Sequence, residues 1–121
     1  MKWIKKGLIF KPDGQFEWVV THAMLPVADR IGEDLYRIYF SGRDSLNRSH
    51  IGFIVIDINK PKEILDISAE PVLSPGALGC FDDNGVTPTW IVNVEGAKYL
   101  YYFGWNKRSL VRASEVSGLA I

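Results

Sequence analysis

Two segments of the chain, residues 7–53 and 70–118, carry the same sequence pattern, and this internal repeat restricts the fold more than any single motif does. A shift of 63 positions aligns apolar and aromatic residues in kind and order: Ile9 with Val72, Phe10 with Leu73, Trp18 with Phe81, Tyr36 with Tyr99, and Phe40 with Phe103. Small insertions change the shift to 62 for Pro26 and Pro88, and to 66 for Gly52 and Gly118. Repeats of this length indicate stacked units, none of which buries its apolar face alone.

The composition is that of a globular protein. The chain has 121 residues, of which 47% are hydrophobic and 23% are charged, which favours one domain with a real core and excludes wholesale disorder. Fourteen basic residues balance fourteen acidic ones, so the charge predicts neither a nucleic-acid partner nor an anionic membrane. An apolar run at 7–10 ends at Lys11, which is too short for a signal peptide or a membrane span, and we expect a cytoplasmic protein.

The single cysteine, Cys80, rules out an internal disulfide and fits a reducing compartment. No histidine lies near it in the sequence, and Phe81 follows it. We therefore interpret Cys80 as a buried structural thiol rather than a nucleophile.

Runs of aromatic and β-branched residues between turn residues predict an all-β fold. Four antiparallel strands are predicted in the first module, at 21–30, 34–42, 50–58 and 63–74, and three in the second, at 86–94, 98–105 and 116–121. Residues 3–11 match the end of the fourth strand and predict a spare strand that could complete the second module, which otherwise looks unfinished. Because four-stranded antiparallel sheets in tandem are typical of propeller blades, we predict two propeller-like blades, a partial β-propeller.

In this prediction residues 1–121 form a single domain of two modules. The modules span about 12–74 and 75–121, and the strand at 3–11 is counted with the second.

Three stretches, 39–44, 47–52 and 81–88, carry a resemblance to a known group. They read YFSGRD, NRSHIG and FDDNGVTP. The chain resembles the N-terminal portion of the five-bladed β-propeller glycosidases, the group of arabinanases, invertases and mannoside phosphorylases, and it is most similar to poorly characterised bacterial members. The resemblance implies a site at the mouth of the propeller axis, with carboxylates from several blades.

The carboxylates that this resemblance implies are incomplete. Leu25 stands where the group has an Asp before Pro26, so we expect hydrolysis to be absent or very weak. Asp82 and Asp83 remain as catalytic candidates. The alternative is that they belong to an Asp/Asn/Gly turn that caps a strand.

Polar residues around the predicted second hairpin are the ligand-binding candidates, together with Asp83 and Trp105. Those of the hairpin itself are Arg43, Asp44, Arg48 and His50. Arginine and aspartate can bind sugar hydroxyls or a carboxylate at an axial mouth, but next to a turn they can also simply pair with each other. We expect the hairpin to meet the entry to the next module, at 82–87.

Two further alternatives concern metals and aromatic residues. The spacing of His22, His50 and Asp44 matches no metal signature, so we predict no metal and no cofactor. Five aromatic residues could form sugar-stacking platforms, although core packing explains most of them because they repeat in both modules: Trp18, Trp90, Tyr101, Tyr102 and Trp105. Trp105 is the exception, because a shift of 63 pairs it with Gly42.

Two functions are compatible with these observations. The first is a truncated glycosidase-like propeller without hydrolysis that self-associates, as a dimer or larger homo-oligomer, in a structural or interaction role. The alternative is a protein that binds or processes carbohydrate in a cleft formed on oligomerisation. Neither a nucleic acid nor a membrane is an expected partner.

Overall fold

The computed structural model describes residues 1–107 and 113–121 and contains seven strands and no helix in these ranges. The strands are β1 (Thr21–Arg30), β2 (Leu35–Arg43), β3 (Ser49–Asp57), β4 (Ile64–Ile67), β5 (Gly85–Val94), β6 (Ala97–Asn106) and β7 (Ser114–Ala120). The prediction of an all-β chain is confirmed. No helix in the described ranges is long and apolar enough to cross a membrane.

The strands form two antiparallel meanders. In the first, β1, β2, β3 and β4 pair in sequence order, and in the second β5, β6 and β7 do the same. One parallel pairing, between Ser49 of β3 and Gly85 of β5, joins the two meanders into a sheet that is not closed. Beside this pairing the backbone N–H of Ser49 donates to the carbonyl oxygen of Asn84 over 3.2 Å.

The predicted strand at 3–11 does not exist. The backbone turns at Gly7, whose φ of 95° lies in the left-handed region, and Pro12 has no N–H to give to a ladder. The segment lies instead across the first meander, where the ring of Phe10 packs 5.3 Å from that of Phe40. The spare strand therefore does not complete the second meander.

The predicted fourth strand is also shorter than expected. It ends at Ile67, because the Ser68 hydroxyl oxygen accepts the N–H of Phe53 over 3.0 Å and so takes the donor that another ladder residue would use. Of the remaining predicted length, to residue 74, only a single bridge between Leu73 and Ile51 persists.

Two apolar clusters form the core. One lies on the face of the first meander that residues 10–19 cover, and its buried members are Trp18, Val19, Phe40, Ile54 and Ile56. The other lies between the meanders, with Tyr39 and Ile51 from the first and Val86 and Tyr102 from the second. β3 contributes to both clusters, as its apolar residues on both faces predict for a central strand.

Equivalent glycines show how the repeat is built. A Cβ on Gly42 would collide with Trp18 and Val19, and one on Gly104 would collide with Phe81 and Asp82. Each glycine therefore leaves the space that the segment before its own meander occupies. These glycines are 62 positions apart, not 63. The predicted alignment of Trp105 with Gly42 is therefore wrong by one residue, and the counterpart of Trp105 is Arg43.

Candidate functional site

The hairpin between β2 and β3 is organised by one carboxylate, that of Asp44. Its Oδ1 accepts the backbone N–H groups of Leu46 and Arg48 over 3.0 and 2.8 Å. Its Oδ2 accepts from the Arg48 guanidinium over 2.9 Å through Nε and 2.9 Å through Nη2, and it lies 3.1 Å from His50 Nε2. The left-handed φ of Asn47, 66°, closes the turn. Asp44 thus stabilises the loop. This agrees with the alternative interpretation of the sequence, in which arginine and aspartate next to a turn pair with each other.

The electrostatics of Asp44 follow from these contacts. Its side chain is only 8% exposed, and burial by itself would raise the pKa of the carboxyl. The hydrogen bonds from the Arg48 backbone, His50 and the Arg48 guanidinium outweigh burial, so the pKa lies below its ordinary value. Asp44 is therefore an anion at neutral pH, and it has no proton to give as a general acid.

His50 connects this hairpin to the segment that leads to the second meander. Its ring is buried, with Nε2 toward Asp44 and Nδ1 lying 3.2 Å from the hydroxyl oxygen of Ser74. Ser74 is exposed, and no sequence motif singled it out. A histidine held between a carboxylate and a hydroxyl is an arrangement that can move a proton.

Arg43 and Trp105 meet where the two meanders join. The Arg43 guanidinium lies 5.8 Å from the centroid of the Trp105 ring, and Nη1 donates to the Asn47 side chain over 3.1 Å. The indole of Trp105 also occupies the space beside Gly85 that a Cβ would need. These contacts, with the Ser49–Gly85 pairing, bring the hairpin next to the entry of the second meander, as the sequence predicted.

Asp82 and Asp83 belong to a turn rather than a strand. Asp82 is buried, and its Oδ2 accepts from the Tyr102 hydroxyl over 3.2 Å. Burial, followed by the charge and hydrogen bond of Asp82, raises the pKa of Tyr102. Asp83 Oδ2 accepts the N–H of Gly79 over 2.9 Å, and its Oδ1 is buried without a partner among the described residues. Both carboxylates therefore belong to a turn, as in the alternative interpretation of the sequence.

An open cleft of about 770 Å³ lies beside the hairpin. Its lining contains Asp44, Arg48 and His50 of the hairpin, and also Phe16, Glu17 and Glu70. Arg48 lines the cleft and has 44% of its side chain exposed, so its guanidinium is not fully occupied by Asp44. Glu17 and Glu70 were missed by the sequence reasoning, because single glutamates in loops carry no recognisable pattern. Asp82, Asp83 and Trp105 do not line this cleft.

The aromatic and cysteine expectations have mixed outcomes. Trp18 and Tyr102 are core residues, as predicted, and Trp18 Nε1 donates to the carbonyl oxygen of Ser68 over 3.2 Å. Trp90 is 65% exposed and Tyr101 44% exposed, so core packing within the described residues does not explain them. The prediction for Cys80 is wrong, since this thiol is exposed in a turn.

Strand β1 contains two residues with unusual backbone geometry. His22 and Leu25 have φ values of 64° and 53°, in the left-handed region that non-glycine residues rarely adopt. They accompany two breaks in the register between β1 and β2, so the strand bulges twice.

The side chain of His22 contacts the Thr21 hydroxyl over 2.8 Å. The described residues contain no group of three or more His, Cys, Asp or Glu side chains arranged to hold a metal.

Comparison with known proteins gives relatives but no family. No family model matches the chain. Two curated proteins of Mycobacterium tuberculosis, from strains CDC 1551 / Oshkosh and ATCC 25618 / H37Rv, are each 49% identical over all 121 residues, and both are described only as uncharacterised. The chain spans 40% of the length of these relatives.

Proposed function

We propose that this chain forms two blades of a glycosidase-like five-bladed β-propeller. In this proposal the chain does not hydrolyse glycosides, and the uncovered faces of its blades bind further blades of the same kind. When the chain is alone, these faces bind a second copy, which makes it a self-associating structural or interaction module. A cytoplasmic location belongs to the same proposal, and it is supported by the free thiol of Cys80.

The observation that carries the proposal is a difference between equivalent faces. Tyr39 of β2, with Phe53 of β3 packed against it, contributes to the cluster between the meanders and is buried. The residues 62 and 66 positions later are Tyr101 and Leu119, which pair with each other across β6 and β7. They are 44% and 48% exposed. The first meander buries this face against the second meander, whereas the second meander leaves its equivalent face exposed. We therefore infer that another blade covers the exposed face.

The length of the relatives supports the number of blades. Two meanders account for 40% of the relatives' length, so a chain of that length has room for five modules of this size. Each meander has the antiparallel up-and-down order of strands that a propeller blade needs, which supports the proposal, and the pairing that joins the meanders is limited to Ser49 and Gly85. The inner strands would be β1 and β5.

Light scattering tests the self-association. At tens of micromolar the chain should have a mass above the 13.6 kDa of a monomer, and Tyr101→Glu should lower it, because a charge on an apolar interface is costly to bury. Leu78→Glu is the matched control, since Leu78 lies in a loop and is already almost fully exposed. A monomeric mass for the unchanged chain would contradict the proposal.

Carbohydrate binding is a second candidate function, favoured by the cleft beside the β2–β3 hairpin. The cleft combines the apolar Phe16 with the carboxylates of Glu17 and Glu70 and the exposed side of Arg48, which are groups that bind sugar rings and hydroxyls. Calorimetric titration of neutral oligosaccharides should show binding that Glu70→Gln weakens, while Glu115→Gln on β7 leaves it unchanged. Equal affinities for all three proteins would exclude this cleft as the binding site.

A further inference from the structure

Ser74, His50 and Asp44 form a continuous chain of polar contacts, in which Asp44 and His50 line the cleft and Ser74 lies outside its lining. Ser74 Oγ lies 3.2 Å from His50 Nδ1, and His50 Nε2 lies 3.1 Å from Asp44 Oδ2. The carboxylate and the imidazole are buried, whereas Ser74 is exposed. We propose that Ser74 is a nucleophile, activated by His50 and oriented through Asp44, that accepts acyl groups from small carboxylic esters.

The protonation of the chain follows from Asp44. This carboxylate is ionised and only accepts hydrogen bonds, so the neutral imidazole carries its proton on Nε2. The lone pair of Nδ1 then faces Ser74, whose hydroxyl donates to it. A nucleophile, a base and an acid that fixes the tautomer of the base are the three parts of serine nucleophile sites. Here the two ring nitrogens are exchanged relative to the usual order.

Two steps complete the reaction. In the first, Ser74 Oγ bonds to the ester carbonyl carbon, its proton passes to His50 Nδ1, and the carbon–oxygen bond to the alcohol breaks as that oxygen takes the proton. In the second, water attacks the acyl carbon while His50 accepts its proton, and the proton returns to Ser74 as the carboxylic acid leaves. The structure leaves Ser74 open to solvent, so a small ester can reach it.

Two neighbouring residues, Pro75 and Arg48, limit the rate of this reaction. Pro75 follows Ser74 and has no N–H, so the residue after the nucleophile cannot stabilise an oxyanion. Loss of one such donor costs about 100- to 1,000-fold in serine hydrolases. Arg48 also shares the charge of Asp44, which weakens the pull of Asp44 on the imidazolium. We therefore expect reaction with activated esters and fluorophosphonates only.

Labelling with an alkyl fluorophosphonate tests the proposal directly. Peptide mapping by mass spectrometry should locate the label on Ser74, and Ser74→Ala should abolish it. His50→Gln should slow the labelling by about 100-fold or more, because the general base is lost. Ser117→Ala, at an exposed serine of β7, should not change it. Labelling of Ser74 no faster than that of Ser117, or an unchanged rate in His50→Gln, overturns the proposal.

A second measurement covers the case in which His50→Gln does not fold, as judged by circular dichroism. In a Cys80→Ala background, the thiols of Ser74→Cys and Ser117→Cys are alkylated with iodoacetamide. The thiol of Ser74→Cys should react faster, because His50 takes its proton and increases the thiolate fraction. Equal rates at the two positions also overturn the proposal.

Discussion

Asp29 of β1 and Lys98 of β6 form an ion pair between the two meanders, with Lys98 Nζ 2.6 Å from Asp29 Oδ2. Asn93 of β5 donates to the other oxygen of Asp29 over 2.9 Å. The Asp29 side chain is 1% exposed. The pair lies at the opposite end of β1 from the bulges at His22 and Leu25, so it fixes the meanders together far from the β2–β3 hairpin.

Acid should weaken this contact. Burial would raise the pKa of Asp29, but the hydrogen bonds from Lys98 and Asn93, followed by the charges of Lys98 and Arg37, place it below the ordinary 3.8. A lowered folded-state pKa adds stability that is fully present above about 3.8 and is lost as the pH falls through the folded value. Asp29→Asn should lower the free energy of unfolding by about 1–3 kcal/mol at pH 7, because the new side-chain N–H₂ would face the donors Lys98 and Asn93. The loss should be smaller at pH 2.

Urea unfolding of the two proteins at several pH values measures this difference. Asp34→Asn, at an exposed turn, is the control and should change little at any pH. A cost for Asp29→Asn that stays constant down to pH 2 would show that the charge of Asp29 does not matter.

Sequence patterns predicted most strands because the runs of aromatic and β-branched residues coincide with the segments that pair in the sheet. The runs in β2, β3 and β6 are bounded by turns such as Glu95-Gly96, whose φ values of 49° and 85° suit a two-residue hairpin. The predicted strand at 3–11 failed because its apolar pattern is not used for pairing: Phe10 packs on Phe40, whereas Trp3, Ile4 and Leu8 are exposed. That choice depends on tertiary contacts, which periodicity does not report.

The candidate site was predicted in part. The pairing of Asp44 with Arg48 follows from close spacing at a turn, and the hairpin's meeting with 82–87 follows from the repeat. Ser74 was not predictable, because it is 24 residues from His50 and only the path of the chain after β4 brings it there. The one-residue error in aligning β2 with β6 arose because Tyr101, Tyr102 and Phe103 are consecutive aromatics that match equally well.

The close approach of Trp18 to Gly52 should make this glycine intolerant of any side chain. A Cβ on Gly52 would overlap the Trp18 ring and come within 2.7 Å of the Ser68 hydroxyl oxygen, in a buried site with no room to adjust. Gly52→Ala should therefore lower the free energy of unfolding by about 1–3 kcal/mol. Ser117→Ala serves as the exposed strand control, and thermal unfolding compares them. Equal midpoints would mean that Trp18 moves freely.

The left-handed geometry of Leu25 should cost stability. A non-glycine residue in this region is disfavoured by roughly 1–2 kcal/mol, whereas Asn tolerates it better. Because Leu25 is 59% exposed, Leu25→Asn removes little apolar burial, and it should raise the free energy of unfolding. Leu35→Asn, at a partly exposed position that has no positive φ, should lower it slightly. Denaturant titration distinguishes the two, and a stability loss in both variants would contradict the assignment of strain to Leu25.

Glycoside hydrolysis by this chain should be no faster than in buffer. A glycosidase needs two carboxylates on either side of the scissile bond. In the proposed propeller Leu25 would stand where one of them is expected, and Asp82 is buried against Tyr102. A screen of aryl glycosides with arabinan- and mannan-type oligosaccharides measures this. Asp82→Asn and Asp83→Asn provide the check on any residual signal: activity from a contaminating enzyme would remain in both variants. Robust turnover that either substitution abolishes would mean that the turn opens in solution and presents a carboxylate to substrate, and the proposal of a non-hydrolytic module would then be wrong.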